Sequence, residues 1–336
     1  MRHRLDLIGD IHGELPALEN LGRELGYAVA DGWRHPEGRL PIFLGDLVDR
    51  GAHSFEVASL VRELDLRGRA LCLMGNHEYN LVAWSLGVPG YERPKKSNST
   101  TIAEIERQRD AWQPLLDWMR DLPLALDLPD LRVIHACWHV PSLDLVTPHL
   151  EAPRRPPTEG GTAAWVRSHV ALRSPFEGGS LVAGLPGDTA DHDAIIPHED
   201  LIKGFELPAE KPFRDNDGKL RTRVRATWWS SARELVLTDK PQVFGHYWNV
   251  PPVEGQFAPP HPSGHPDLRA WCDPLAKVCP ETGSVPLEGD FACVDFNGVT
   301  NARADLACVG ALRWPEREVV WAMGPKTATT TPGASD

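Results

Sequence analysis

Five times in this chain a short apolar run stops at a side chain able to hold a metal ion: LDLIGD at Asp10, LPIFLGD at Asp46, ALCLMGN at Asn76, LRVIH at His135 and PQVFGH at His246. Asp10 and His12 stand two apart, so on an extended strand end they would point to one side and grip one cation together. Asp46 offers two carboxylate oxygens and can bridge to a second cation, completed by the Asn76 carbonyl, His135 and His246. Carboxylate, amide oxygen and imidazole without thiolate suit manganese foremost, with iron, zinc or magnesium as alternatives. Two such cations about 3.5–4 Å apart would lower the pKa of a shared water and present hydroxide as a nucleophile at neutral pH. Two divalent ions carry more positive charge than Asp10, Asp46 and one hydroxide remove, leaving a pocket of net positive charge.

Taken singly, each piece has a plain reading. GDIHG is a turn in which Asp10 caps the next helix, Asp46 and Asn76 are further caps, and His135 is a core histidine. Their joint occurrence at five strand ends defeats that reading.

The elements that must position these residues follow from periodicity. Short continuous apolar runs read as strands buried on both faces, and ligand sites in open α/β sheets assemble at the carboxyl ends of such strands. ELPALENLGREL and SFEVASLVREL place leucine and valine three and four apart, one apolar helix face each. Strand, glycine turn, helix and strand make a βαβ pattern, so the first half reads as α/β with a largely parallel sheet. In the second half RTRVRATWW, RELVLTD, FACVDFN and REVVWAM read as strands closing a second sheet. Residues 151–164 and 254–290 read as irregular, and the stretch after Met323 as a frayed tail.

The chain has 336 residues, 41% hydrophobic and 24% charged, which is a globular composition and excludes a fibrous or disordered one. A net charge of −12 argues against a protein that covers long nucleic-acid phosphate runs. No apolar run is long enough to span a bilayer and no signal-peptide core opens the chain, so a cytoplasmic protein with no membrane partner is expected. The six scattered cysteines form no C-x-x-C pair and read as buried thiols.

GDIHG at 9–13, GDLVDRG at 45–51 and GNHE at 75–78 resemble the three signature blocks of the phosphoprotein phosphatase branch of the metallophosphoesterases, a branch that includes bacterial serine/threonine phosphatases and diadenosine tetraphosphatases. The resemblance implies an α/β, four-layer fold: a β-sandwich of two mixed sheets flanked by helices. The motifs cover residue 5 to about 140 and again 242–248, and the expected organisation is one domain, 1–323, with an insertion at 254–290 and a flexible tail at 324–336. The resemblance implies two divalent metal ions, the first held by Asp10, His12 and Asp46, the second by Asp46, Asn76, His135 and His246. His77 would be the general acid, Asp49 the carboxylate that orients it, and Arg50 the fork that holds phosphoryl oxygens. Glu78 would brace the loop.

The sequence departs from the pattern in two places. Ala136, Cys137 and Trp138 follow His135 where two glycines are common, and Trp248 stands where many diesterases carry a second histidine, which favours monoesters over diesters. The expected activity is hydrolysis of phosphomonoesters by attack of dimetal-bound hydroxide. The alternative is a dinucleoside polyphosphate (diadenosine tetraphosphate-type) hydrolase, and the reading of another class is a noncatalytic scaffold for phosphorylated partners. The substrate is therefore a phosphoprotein, a nucleotide or a dinucleoside polyphosphate, and the oligomeric state is left open. Cys137 reads as a small apolar filler, His139 as a solvent-facing residue, Lys95 and Lys96 as solvated, and His261, His265, Cys272 and Cys279 as lacking the spacing of a zinc site. The 254–290 segment reads either as a substrate-selecting lid or as a solvated insertion.

Overall fold

The computed structural model describes residues 3–92, 98–152, 161–178, 180–183, 185, 196–214, 220–226, 228–247, 291–296 and 306–325. Lys95, Lys96, Trp248, the insertion at 254–290 and the tail beyond 325 lie outside them. Two five-stranded sheets form the centre. In the first, β1 (Leu5–Ile8), β2 (Leu40–Phe43) and β3 (Leu71–Cys72) run parallel, and β13 (Leu306–Trp314) and β14 (Glu318–Pro325) extend it antiparallel in the order β14-β13-β1-β2-β3. The second has the order β12-β11-β5-β4-β6, from β4 (Ala125–Leu128), β5 (Leu131–Ile134), β6 (Val170–Leu172), β11 (Gln242–Phe244) and β12 (Phe291–Cys293). Here β5, β11 and β12 are mutually parallel. Two short pairs, β7 (Phe176–Glu177) with β8 (Ser180–Leu181) and β9 (Glu206–Arg214) with β10 (Leu220–Arg225), stand apart.

Strand alternation divides the apolar residues between two cores. Leu5, Leu7, Leu40 and Ile42 of the first sheet meet Leu126, Leu131, Val133 and Val243 of the second in one buried cluster. Ile8, Phe43, Ile134 and Phe244 point the other way and pack under helices. These include α1 (Leu15–Glu24), α2 (Ser54–Leu66), α3 (Asn76–Ser85), α4 (Ser99–Arg107), α5 (Arg109–Arg120), α6 (Val140–Leu150) and α8 (Pro197–Lys203). The expected mixed sandwich with helices outside is the observed architecture. Among the described residues no helix is long and apolar enough to cross a membrane.

Four local expectations need correction. The sheets do not divide between the halves of the chain: the C-terminal hairpin β13–β14 completes the first sheet, because β1 has a second edge that only a late strand covers. RELVLTD is a 3-10 turn at Arg233–Leu235 with a single bridge from Val236 to His139, since the short helix α9 (Trp228–Ser231) before it leaves little extended chain to pair. Within 151–164, residues from Gly161 onward open the helix α7 (Gly161–Arg167), whose Val166 reaches the inter-sheet core. Strand β14 also runs on to Pro325.

One buried polar cluster locks the outer face of the first sheet. Asp6, fully buried on β1, accepts Tyr27 Oη at 2.6 Å and Arg39 Nε at 2.9 Å, while Arg39 Nη1 reaches Glu316 at 2.9 Å. Removing one partner of a buried ion pair leaves an uncompensated charge at a cost of about 3–5 kcal/mol. Arg39→Leu should therefore lower the unfolding free energy by about that amount in urea titration; a loss under about 1 kcal/mol, the scale of an exposed pair, would show the cluster to be incidental.

Candidate metal centre

The carboxyl ends of β1, β2, β3, β5 and β11 deliver Asp10, Asp46, Asn76, His135 and His246 to one region, as the repeated strand-end layout required. Beyond the strands the backbone leaves extended geometry. His12, Asp46, Asp49, Arg50 and His246 all have positive φ, between 50° and 72°, and only Trp33 and Arg317 share that state among the other described non-glycine residues. Such conformations are disfavoured for side-chain-bearing residues and gather where the surroundings over-determine them. His12 therefore reaches the site through a left-handed turn and not by strand alternation from Asp10. Two glycines make room: Gly45 has φ 102° with a Gly75 backbone atom 2.4 Å from where a Cβ would sit, and a Cβ on Gly245 would lie 2.4 Å from Asp10 Oδ1.

The ligand-type atoms form two overlapping groups that share Asp46. His12, Asp46 and His77 make one; Asp46, His135 and His246 make the other. His12 Nε2 lies 3.8 Å from Asp10 Oδ2 and 3.7 Å from Asp46 Oδ2. His135 Nε2 lies 3.4 Å from Asp46 Oδ1 and 3.4 Å from Asn76 Oδ1. The backbone N–H of His246 donates to Asp10 Oδ1 at 3.1 Å, joining the first and last strand ends. All six expected ligand residues are buried.

Hydrogen bonding then fixes which ring atoms face the centre. Val48 O sits 2.9 Å from His12 Nδ1 and Leu44 O 2.7 Å from His135 Nδ1, and a carbonyl only accepts, so each Nδ1 carries the proton. In the neutral His12 ring, Nε2 is left as a lone pair aimed at carboxylate oxygens. His12 Nε2 and His246 Nε2 are buried with no hydrogen-bond partner. Lone pairs facing carboxylates without a donor between them are mutually repulsive, and divalent cations are what this donor set fits.

The electrostatics agree. Burial and the charges of Arg50 and His77 hold His12 well below its usual pKa, and burial with Arg225 and His135 does the same for His246, so both stay neutral and able to ligate. Burial and the neighbouring Asp295 push Asp10 well above the carboxylate range. For His135, burial lowers the pKa, but Asp46 overrides it and raises the imidazole to about 10. A proton there answers the negative charge that a cation would otherwise neutralise.

His77 differs from the others. Its Nδ1 lies 2.5 Å from Asp49 Oδ2 and its Nε2 3.8 Å from Asp46 Oδ2. Burial lowers its pKa, but Asp46 and Asp49 outweigh it and raise the ring above its usual value, which favours the protonated form. Glu78 braces the turns: its carboxylate accepts the N–H groups of Asp46 at 2.7 Å, Leu47 at 2.8 Å and Gly75 at 3.1 Å. Arg50 lies near enough for its charge to lower both His12 and His77.

Two residues beside the site were absent from the sequence reading. Asn98, which stands where a helix cap is expected before α4, makes no cap bond; its buried amide donates to Asp49 Oδ2. Arg225 on β10 carries a charge felt by His246 and Asp46, and burial, with Arg221, lowers its own pKa. The alternating arginines of RTRVR were its visible signal. Cys137 is fully buried, as a filler should be. His139 does not face solvent: it is buried, stacks on Phe205 at 4.1 Å, and its Nδ1 pairs with Ser142 Oγ at 2.8 Å.

Helix α3, which begins with Asn76 and His77, is tied to α8 by Tyr79 Oη and His198 Nε2 at 2.8 Å. Burial, with the charge of Lys203, depresses His198 to about 3. The unfolded chain protonates this histidine near 6.5 and the folded one only near 3, so stability is lost as pH falls through that window. Relative to His198→Gln, the wild type should lose up to about 1.4 kcal/mol more per pH unit between those limits. Parallel urea titrations down the acid limb check this, and identical slopes would refute it.

The model of the calcineurin-like phosphoesterases matches residues 3–196. Among curated relatives, bis(5'-nucleosyl)-tetraphosphatase PrpE [asymmetrical] of Oceanobacillus iheyensis is 34% identical over 144 residues, covering 41% of this chain and 57% of the relative. The protein of the same name from Bacillus thuringiensis (strain Al Hakam) is 41% identical over 147 residues, covering 40% and 57%. The match thus spans little more than half the length of these relatives. A solved serine/threonine phosphatase from Saccharomyces cerevisiae is 16% identical over 98% of this chain and 81% of its own, with a TM-score of 0.43, too low to carry an argument. With more than half of its length matched by the family model, the chain belongs to the calcineurin-like phosphoesterases.

Proposed function

We propose that the protein is a metal-dependent hydrolase of phosphoric esters and anhydrides. The observation that carries this reading is the buried convergence of carboxylates and imidazole nitrogens on Asp46, with His77 held by Asp49 alongside. Asp10, His12 and Asp46 would hold one divalent cation, and Asp46, Asn76, His135 and His246 the other, manganese foremost. Cations bound there supply positive charge for the phosphoryl oxygens and lower the pKa of water. Arg50 binds phosphoryl oxygens with its planar donors. His77 gives its Nε2 proton to the leaving oxygen, while Asp49 holds Nδ1 and Asn98 holds Asp49. Phosphomonoesters remain one substrate class. The dinucleoside polyphosphate reading is favoured by the activity in the names of the two relatives, 34% and 41% identical to this chain over the matched residues. The free, buried state of the four described cysteines fits the reducing cytoplasm.

The test is a substrate panel of nitrophenyl phosphate, phosphopeptide, nucleotides and diadenosine tetraphosphate, assayed before and after chelation. Turnover should vanish with chelation and return with manganese. Full activity in metal-stripped protein would end the proposal, and no turnover of any substrate by the metal-loaded protein would leave the scaffold reading in its place.

A further inference from the structure

The hairpin β9–β10 carries charge that the proposed chemistry leaves unused. Arg221, Arg223 and Arg225 occupy alternate positions of β10. Arg225 pairs in register with Glu206 and Arg223 with Pro208, which places those two arginines on one face. A bulge separates Arg221 from Arg223, yet Arg221 Nη2 still reaches Glu206 Oε1 at 2.5 Å, on the same side. Arg223 donates to the Glu206 carbonyl. At a strand rise of about 3.3 Å per residue, alternate side chains stand roughly 6.6 Å apart. Three cations therefore form a row whose inner end, Arg225, lies at the root of the hairpin, where Ala226 N bonds Phe205 O at 2.9 Å and a Cβ on Gly204 would lie 1.8 Å from Tyr247 Oη, next to His246, and whose outer members lie on a half-exposed strand. Against them on that face stand Glu206 and, by strand alternation, Glu210 two residues beyond Pro208.

We infer that this row binds the part of a linear polyphosphate that extends beyond the phosphoryl group at the metal centre. The inference rests on the dinucleoside polyphosphate reading and names what that substrate would touch. A single phosphate fills the centre and has nothing left to meet Arg221 or Arg223. A tetraphosphate bridge carries further anionic oxygens outward, and guanidinium forks match them. The net charge of −12 repels polyanions elsewhere, so a local row of one sign gives the chain direction as well as affinity. The bland alternative is that Arg221 and Arg223 only staple the hairpin through Glu206.

Titration calorimetry of the manganese-loaded full chain decides between them, with a methylene-bridged diadenosine tetraphosphate and inorganic phosphate as probes. Arg221→Ala and Arg223→Ala should each weaken the tetraphosphate analogue about tenfold, the scale of one charged hydrogen bond, and leave phosphate binding unchanged. Glu206→Gln should tighten the analogue, because it removes a competing carboxylate; a stapling role predicts no gain. Unchanged analogue affinity in both arginine variants, or equal losses for both probes, would overturn the inference. Methylene replaces all three P–O–P oxygens of the analogue, so no anhydride bond is left to hydrolyse and the outcome is separable from the activity reading: a wild type that binds it but hydrolyses only nitrophenyl phosphate sinks the substrate class and leaves the row standing.

Discussion

His77→Ala should lower kcat on an alkyl phosphate by about 10²–10⁴-fold, the usual contribution of a positioned general acid. Metal content should stay near normal, because the ring is held through Nδ1 by Asp49 and its role is proton delivery from Nε2. The loss should shrink on nitrophenyl phosphate, and also on diadenosine tetraphosphate, where the departing group is a phosphate anion that needs little help. Comparison of the three substrates thus tests the acid and the substrate class together. The pH dependence has a definite sign: the acid form is active and the pKa is raised, so kcat should fall as pH rises through that value. Asn98→Ala loosens Asp49 and should move that alkaline limb to lower pH while sparing metal content. An unchanged kcat for His77→Ala on an alkyl phosphate would withdraw the assignment.

Asp46→Asn should remove both metal and turnover. Asp46 belongs to both proposed ligand sets, with Asp10 and His12 on one side and Asn76, His135 and His246 on the other, so one charge is lost from both cation positions at once. Even partners outside the coordination sphere cost about 10–100-fold in metal affinity when replaced, and a shared carboxylate should cost at least that. The fold should survive, since asparagine tolerates the positive φ of 53° at this position and keeps an oxygen for the His77 N–H at 2.9 Å. Elemental analysis after dialysis measures occupancy, and thermal unfolding checks that the protein stays folded. Near-stoichiometric metal in a folded Asp46→Asn protein would exclude Asp46 as the bridge.

Much of this protein is written locally. Each of the five apolar runs is a strand, and each ends where a polar, metal-competent residue follows, because a short run buried on both faces can stop only at a turn. Residue chemistry alone therefore identified Asp10, Asp46, Asn76, His135 and His246 as one group, and the signature blocks that carry the resemblance added His77, Asp49 and Arg50. The tertiary structure decided what depends on partners distant in sequence. Strand pairing put the C-terminal hairpin beside β1, a choice made by an open sheet edge and invisible in either segment. Positive φ at His12 and Asp46 is imposed by turns that contact one another and cannot be read from strand alternation. Carbonyls at Leu44 and Val48 select which nitrogen of His135 and His12 faces inward, and carbonyls leave no trace in residue type. Asn98 carries no signal in the sequence, because the Asp49 carboxylate that accepts its amide lies 49 residues earlier. Arg225 belongs to an exposed-looking basic strand until packing brings its charge to His246.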